Sequence, residues 1–285
     1  MRKVVLASIL FLSFIVLAAC GSDEDTLDKL QDEGKVKVGF ANEKPYAYEE
    51  DGELKGAAVD IAKAVFKELG IDEVEGQLAD FGDLVAGLDA GKFDAVTAGM
   101  AITPERCENV AFGEPEMKYG EGLIVKKGNP LNLTSYEDIA DNPDVTVSIM
   151  QGATEIGFVK DVGVDEDQIK TAPDIPATFS DVQSGRADAT TGTEMTIKMA
   201  LISADTDELE FVEEFEQPDV EGNPSYGSAA FRQSDEKLLE EYNKALAKLK
   251  EDGTVAELLE ANDFSEVANM VEEEVTAEKV CNGEY

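Results

Sequence analysis

The chain has 285 residues, 62 of them acidic and 24 basic, for a formal charge of −38, and it contains no histidine and no tryptophan. So acidic a surface repels nucleic acid and anionic lipid heads and speaks against both as partners; solubility in a saline medium accounts for it. Lack of histidine removes the commonest metal ligand and acid–base catalyst, which weighs against an enzyme and predicts no metal, no cofactor and no catalytic residue.

Met1-Arg2-Lys3 is followed by an apolar run from Val4 to Ala19 and then by Cys20-Gly21-Ser22. This is the layout of an export signal, too short and wrongly flanked for a permanent span. The junction Leu17-Ala18-Ala19-Cys20 resembles a bacterial lipobox, so residues 1–19 are expected as a lipoprotein signal peptide and Cys20 as the lipidated mature terminus. An uncleaved anchor or an ordinary peptidase site is the alternative; either way the bulk of the protein lies outside the cytoplasm, touching membrane through the anchor only. About 266 residues remain from Cys20, with 22 basic against 62 acidic, enough for one large or two ordinary domains. Two further cysteines, Cys107 and Cys281, are expected to pair in an oxidising compartment, the alternative being two buried or free thiols.

Residues 20–34 read as an acidic tether. Lys35 to Phe40 alternates as a strand, and Ala57 to Leu69 has helical apolar spacing ended by Gly70. A second unit follows: strand Val74 to Leu78, helix Phe81 to Ala90 closed by Gly91, strand Phe93 to Thr97, then strand Gly120 to Lys126 leading out. The same grammar restarts after Pro130: strand Val145 to Ile149, helix Thr154 to Val162, strand Gln168 to Thr171, helix Pro176 to Ser184, strand Ala187 to Thr190. Gly91-Lys92-Phe93-Asp94-Ala95 is echoed by Gly185-Arg186-Ala187-Asp188-Ala189. Near Ala229-Ala230-Phe231 the chain is expected to return to the first unit, ending in helices Glu236 to Lys250 and Val255 to Ala261. Alternating strands and helices imply mostly parallel sheets flanked by helices. The expected architecture is α/β with two lobes: lobe 1 over 35–127 and 230–285, lobe 2 over 128–229, joined by two crossings that form a hinge around a solute-sized cleft.

The segments Gly39-Phe40-Ala41-Asn42-Glu43-Lys44-Pro45-Tyr46 and Gly56-Ala57-Ala58-Val59-Asp60-Ile61-Ala62, with the Gly-(Lys/Arg)-x-Asp-Ala echoes, resemble family 3 of the bacterial extracellular solute-binding proteins. The resemblance spans nearly the whole mature chain. It implies the two-lobed type II periplasmic-binding-protein fold and a monomer that delivers a small zwitterionic solute to the permease subunits of an ABC importer. Phe81-Gly82, Gly87-Leu88, Ala98-Gly99-Met100, Pro104-Glu105-Arg106-Cys107, Lys126 to Leu131 and Gly152-Ala153-Thr154-Glu155 are similar to the branch that binds the compatible solutes ectoine and hydroxyectoine. Polar amino acids, the usual cargo of the family, are the alternative. More distant is an enzyme like the cyclohexadienyl dehydratases that share the fold.

In open α/β sheets ligands lie beyond the carboxyl ends of strands, where Glu43, Tyr46, Phe81 and Arg106 all fall. Thr103-Pro104 starts a helix and sets Arg106 in its first turn, where the helix dipole disfavours a cation unless an anion joins it. Taken alone, this fits a solute carboxylate and an internal ion pair equally well; the resemblance favours the carboxylate. Thr154 either reaches the same carboxylate from the second lobe or serves as an ordinary helix cap. Glu43 faces the solute cation or is a solvated loop residue, and Tyr46 and Phe81 either lay ring faces on that cation or fill the core. The family resemblance implies a third ring just after Gly99-Met100, but here stands Ala101; Tyr119 and Tyr226 are candidates to replace it. It also implies an aspartate holding the α-ammonium of amino acids at a position that is Thr193 here, which favours a delocalised cation.

Overall fold

A computed structural model describes residues 25–284; the expected signal peptide and Cys20 lie outside the described residues. The first lobe is built on strand Lys35–Phe40, whose Val36, Val38 and Phe40 are fully buried. It pairs in parallel with Glu73–Leu78 on one side and Ala95–Ala101 on the other, and Ser225–Phe231 then runs antiparallel beside Ala95–Ala101. The second lobe repeats the pattern. Val147–Met150 pairs in parallel with Ile169–Ala172 and Ala189–Thr193, and Glu121–Lys126 runs antiparallel to the last of these, with Leu209–Phe211 at the edge. Both sheets are therefore mixed, parallel only across their first three strands.

The expected lobe boundaries shift at both crossings. Glu121–Lys126 belongs to the second sheet and Ser225–Phe231 to the first, so lobe 2 takes in strand 121–126 and the chain has returned to lobe 1 by Ser225. The two crossings are laced together: Gln217 donates from Nε2 to the Glu121 carbonyl at 2.8 Å and accepts the Glu121 amide at Oε1 at 2.8 Å.

The repeated Gly-x-x-Asp-Ala has a structural cause. Asp94 accepts the Lys37 amide at 3.0 Å and its own amide donates to the Lys37 carbonyl at 2.7 Å; Asp188 does the same with Thr146, at 2.9 and 2.7 Å. Each aspartate stitches the entry of the third strand to the central strand, fixing the register of both lobes at the end far from the cleft.

The tether reading fails over most of its length. Asp25 caps a helix Thr26–Glu33, accepting from the Leu27 amide, and Leu27 and Leu30 are buried in the lobe 1 core. Thr26 donates to Asp235 at 2.7 Å and Lys237 pairs with Asp28, so this helix is clamped to helix Glu236–Glu251. Its apolar positions are few, and an acidic composition hides so narrow a stripe. Also unread in the sequence were the hairpin Tyr48–Glu50/Glu53–Lys55, helix Glu194–Ala204 and the closing helix Ala277–Cys281.

Cys107 and Cys281 form a disulfide, joining the one-turn helix Pro104–Cys107 to that closing helix across 174 positions of sequence. Ala277 and Val280 pack on the same core as Val110 and Phe112. A non-reduced digest is expected to yield the Cys107–Cys281 peptide pair, and a double serine variant to lose about 2–4 kcal/mol of stability. Two free thiols in material from an oxidising compartment would refute the bond.

Candidate binding cleft

The loops that follow the carboxyl ends of the parallel strands in the two sheets meet face to face. Between them lies a small cavity lined by residues of both lobes. Glu43, Tyr46, Phe81, Gly99, Ala101, Arg106, Thr154 and Thr193 all line it. So does Tyr119, whereas Tyr226, on the neighbouring strand, is buried in the core with Val280 and Phe112.

Arg106 spans the gap between lobes. Thr103 caps its helix, accepting the Arg106 amide at 3.2 Å, with Pro104 at the first position. From there Nη1 donates to the Ala101 carbonyl of lobe 1 at 2.7 Å and Nη2 to the Gly152 carbonyl of lobe 2 at 2.9 Å. The Phe81 ring lies 5.4 Å from the guanidinium carbon. Phe81 itself packs on apolar clusters of both lobes. Burial lowers the pKa of Arg106, partly countered by Tyr119, Glu155, Glu105 and Glu43. The guanidinium is held by two carbonyls and a ring, with no carboxylate at ion-pair distance among the described residues, although Glu155, Glu105 and Glu43 act on it from farther off. Two of five N–H donors are used, and a fork with donors to spare suits a carboxylate.

The opposing charge enters from the loop after the first strand. The Glu43 amide and carbonyl are fixed by Ala47 and Tyr46, with bonds of 2.8 to 3.0 Å. Its Oε1 is buried without a hydrogen-bond partner. Burial first, then the charge of Glu155, raise its pKa to about 8, against the pull of Arg106.

Tyr46 is fixed edge-on by Tyr119 at 5.3 Å and Phe264 at 5.1 Å between centroids. Its buried hydroxyl completes no hydrogen bond, although Thr193 approaches it from the facing lobe. Gly99 explains how the ring fits: its φ is +60°, and a Cβ there would sit 2.3 Å from Tyr46 Cδ1. Tyr119 donates to the Gly99 carbonyl at 2.5 Å, which fixes a third ring on the wall that Ala101 leaves small.

On the second lobe Thr154 heads helix Glu155–Asp161, but its side chain makes no cap hydrogen bond, so the ordinary-cap reading does not hold. Thr193 heads helix Glu194–Ala204 and shares a 2.9 Å hydroxyl contact with Thr196. Gly152 brings the lobes together: its φ is +81°, and a Cβ there would lie 2.8 Å from the Gly82 Cα. Residues that also line the cleft but were not assigned from sequence include Met150, Ile175, Thr196 and Glu155. Glu155 entered the sequence reading only as the last residue of the Gly152-Ala153-Thr154-Glu155 segment, with no site role; its burial, at 3% exposure, comes from tertiary packing. No group of three or more His, Cys, Asp or Glu side chains able to hold a metal occurs among the described residues.

Comparison with known proteins gives this geometry a family. The model for bacterial extracellular solute-binding proteins, family 3, matches residues 36–262. The chain belongs to that family. A probable amino-acid ABC transporter periplasmic-binding protein of Sinorhizobium fredii is 36% identical over 239 residues, covering 82% of this chain and 78% of the relative. Among solved structures, EhuB in complex with hydroxyectoine is 36% identical with a TM-score of 0.82, covering 90% of this chain and 98% of the other. An ancestral amino acid-binding protein described as a precursor of cyclohexadienyl dehydratase is 32% identical with a TM-score of 0.70, covering 84% and 99%. The protein is thus an extracytoplasmic solute-binding protein.

A cation placed beside Glu43 stabilises its ionised form, so binding must expel the proton held below about pH 8. Affinity for a zwitterionic solute is therefore expected to rise with pH, by up to roughly tenfold per unit, and level off near pH 8. Glu43→Gln should flatten the profile. A wild-type affinity constant from pH 6 to 8 would show that no cation meets Glu43.

Proposed function

We propose that this protein is the solute-capturing component of an ABC importer and that its cargo is a compatible solute of the ectoine type. One observation carries the reading: a single interlobe cavity combines a guanidinium with donors to spare, Arg106, with a buried, unpartnered carboxyl oxygen on Glu43 and the rings of Tyr46, Phe81 and Tyr119. Such a site suits a small zwitterion with a delocalised cation. Arg106 and Thr154 take the carboxylate; Glu43 and the rings take the cation. The similarity to a hydroxyectoine complex supports this cargo. Thr193 is the position where the family resemblance implies an aspartate for the α-ammonium of amino acids. Gly99 lets Tyr46 approach, and Ala101 leaves room for the solute beside Tyr119.

Polar amino acids are the second reading, favoured by the similarity to a probable amino-acid-binding protein. A dehydratase-like activity rests only on the ancestral neighbour, and a chain without histidine lacks the commonest acid–base catalyst. Calorimetry with ectoine, hydroxyectoine, arginine and glutamine side by side decides between cargoes. An ectoine is expected to bind tightest, and an amino acid binding more tightly would overturn the assignment. Arg106→Ala should cost about 2–5 kcal/mol of binding with the fold intact, because it strips the solute carboxylate of its charged partner.

We further propose that the protein is tethered to the membrane by a lipid on Cys20, since the small-residue end of the apolar run falls directly before that cysteine. Metabolic labelling with a fatty-acid analogue should mark the wild type and not Cys20→Ala; a label that persists in the variant rules the anchor out.

A further inference from the structure

Glu155 has no part in the cargo assignment, yet it is one of the most deeply placed side chains in the cleft. It lines the same cavity as Glu43 but belongs to the other lobe, at the start of helix Glu155–Asp161, and is 3% exposed. Gly192 lies alongside, where a Cβ would come within 3.9 Å of Glu155 Oε1. Beside it sits Glu121, 1% exposed, its carboxyl interacting with that of Glu155. Burial and the charge of Glu155 hold Glu121 in its neutral form, so Glu121 cannot serve as a counter-ion. Arg106 is the one basic side chain among the described residues lining the cleft, and two of its donors go to backbone carbonyls. The cavity thus presents two carboxyls from opposite lobes, with the buried Tyr46 hydroxyl also unpartnered.

Buried carboxylates need donors, because water no longer solvates them. Aromatic rings attract any cation and do not distinguish a fully alkylated ammonium from one bearing N–H groups. Carboxylates at fixed positions do distinguish them, since a cation without N–H leaves their oxygens desolvated and unbonded.

We propose that Glu155 is a specificity-determining residue: its carboxylate accepts an N–H of the solute cation from the side opposite Glu43, so that the cleft selects cations with N–H donors on two sides and rejects fully alkylated ones. This rests on the reading that the cavity holds a zwitterion with its cation near Glu43. An amidinium or guanidinium satisfies both carboxylates at once, and does so only when the lobes are closed.

Calorimetry of wild type and Glu155→Gln with ectoine, arginine and glycine betaine tests it. Wild type is expected to bind at least one of the N–H-bearing solutes about a hundredfold or more above glycine betaine, and Glu155→Gln to lose about tenfold or more for that solute while glycine betaine changes little. If arginine rather than ectoine is the tight ligand, the ectoine assignment falls and Glu155 is judged on arginine. A variant within about twofold of wild type for the tight solute, or glycine betaine binding as well as ectoine, overturns the proposal. Should the variant unfold early, a structure of the wild type with its tightest solute decides the matter: a solute nitrogen within hydrogen-bonding distance of the Glu155 carboxylate supports the role, and a carboxylate turned only toward Glu121 overturns it.

Discussion

The guanidinium of Arg106 is where the two lobes are tied to one another. Its bonds to the Ala101 and Gly152 carbonyls join the ends of two separate sheets through one side chain. Burial still costs this charge some solvation, which Glu155, Glu105 and Glu43 offset in part and an anion bound beside it would offset further. Much of the surrounding structure serves to keep it there. The helix that carries it is a single turn, too short to hold itself, and is fixed by the Thr103 cap, by the disulfide at the next residue and by Gln233 donating to the Cys107 and Glu108 carbonyls at 3.2 and 3.1 Å.

The two lobes are built alike at their far ends and differ at the cleft. Asp94 and Asp188 fix equivalent strand entries with nearly identical bonds. At the other end of the sheets lobe 1 supplies aromatic rings and the guanidinium, while lobe 2 supplies hydroxyls, small residues and Glu155. A solute meeting lobe 1 first finds the rings, the guanidinium and Glu43 there, and lobe 2 then adds hydroxyls and Glu155. That division suits a clamp in which the first contacts capture and the second contacts discriminate.

How much of this was legible in the sequence follows from the kind of signal each part leaves. The central strands and helix Ala57–Glu68 were readable because buried parallel strands and a wide apolar face are dense in Val, Ile and Ala. Helix Thr26–Glu33 escaped because two leucines in an acidic stretch satisfy it. The crossings were misplaced by several residues because a strand that changes lobes has the same alternation whichever sheet it joins. The cleft residues were found by their position after strand ends; their contacts were not. That Arg106 would bond backbone carbonyls, that Tyr119 rather than Tyr226 would face the cleft, and that Glu155 would be buried all depend on how the lobes face one another, which no local pattern encodes.

An acidic protein with carboxyls in its cleft faces an obvious competitor, the inorganic cations of a saline medium. The surface charge draws them near, but beyond a Debye length of about 8 Å at physiological salt it is screened, so the outcome is settled inside the cavity. There the carboxyls are not free to act together as a metal site. Glu121 is kept neutral, Glu43 has its pKa raised to about 8, and Arg106 stands in the same space as a fixed positive charge. A bare cation would need several close oxygen ligands and would be repelled by the guanidinium. A zwitterion brings its own anion to neutralise Arg106 and its own cation to ionise Glu43. The arrangement of one guanidinium among partly protonated carboxyls therefore favours a solute with both charges over an ion with one.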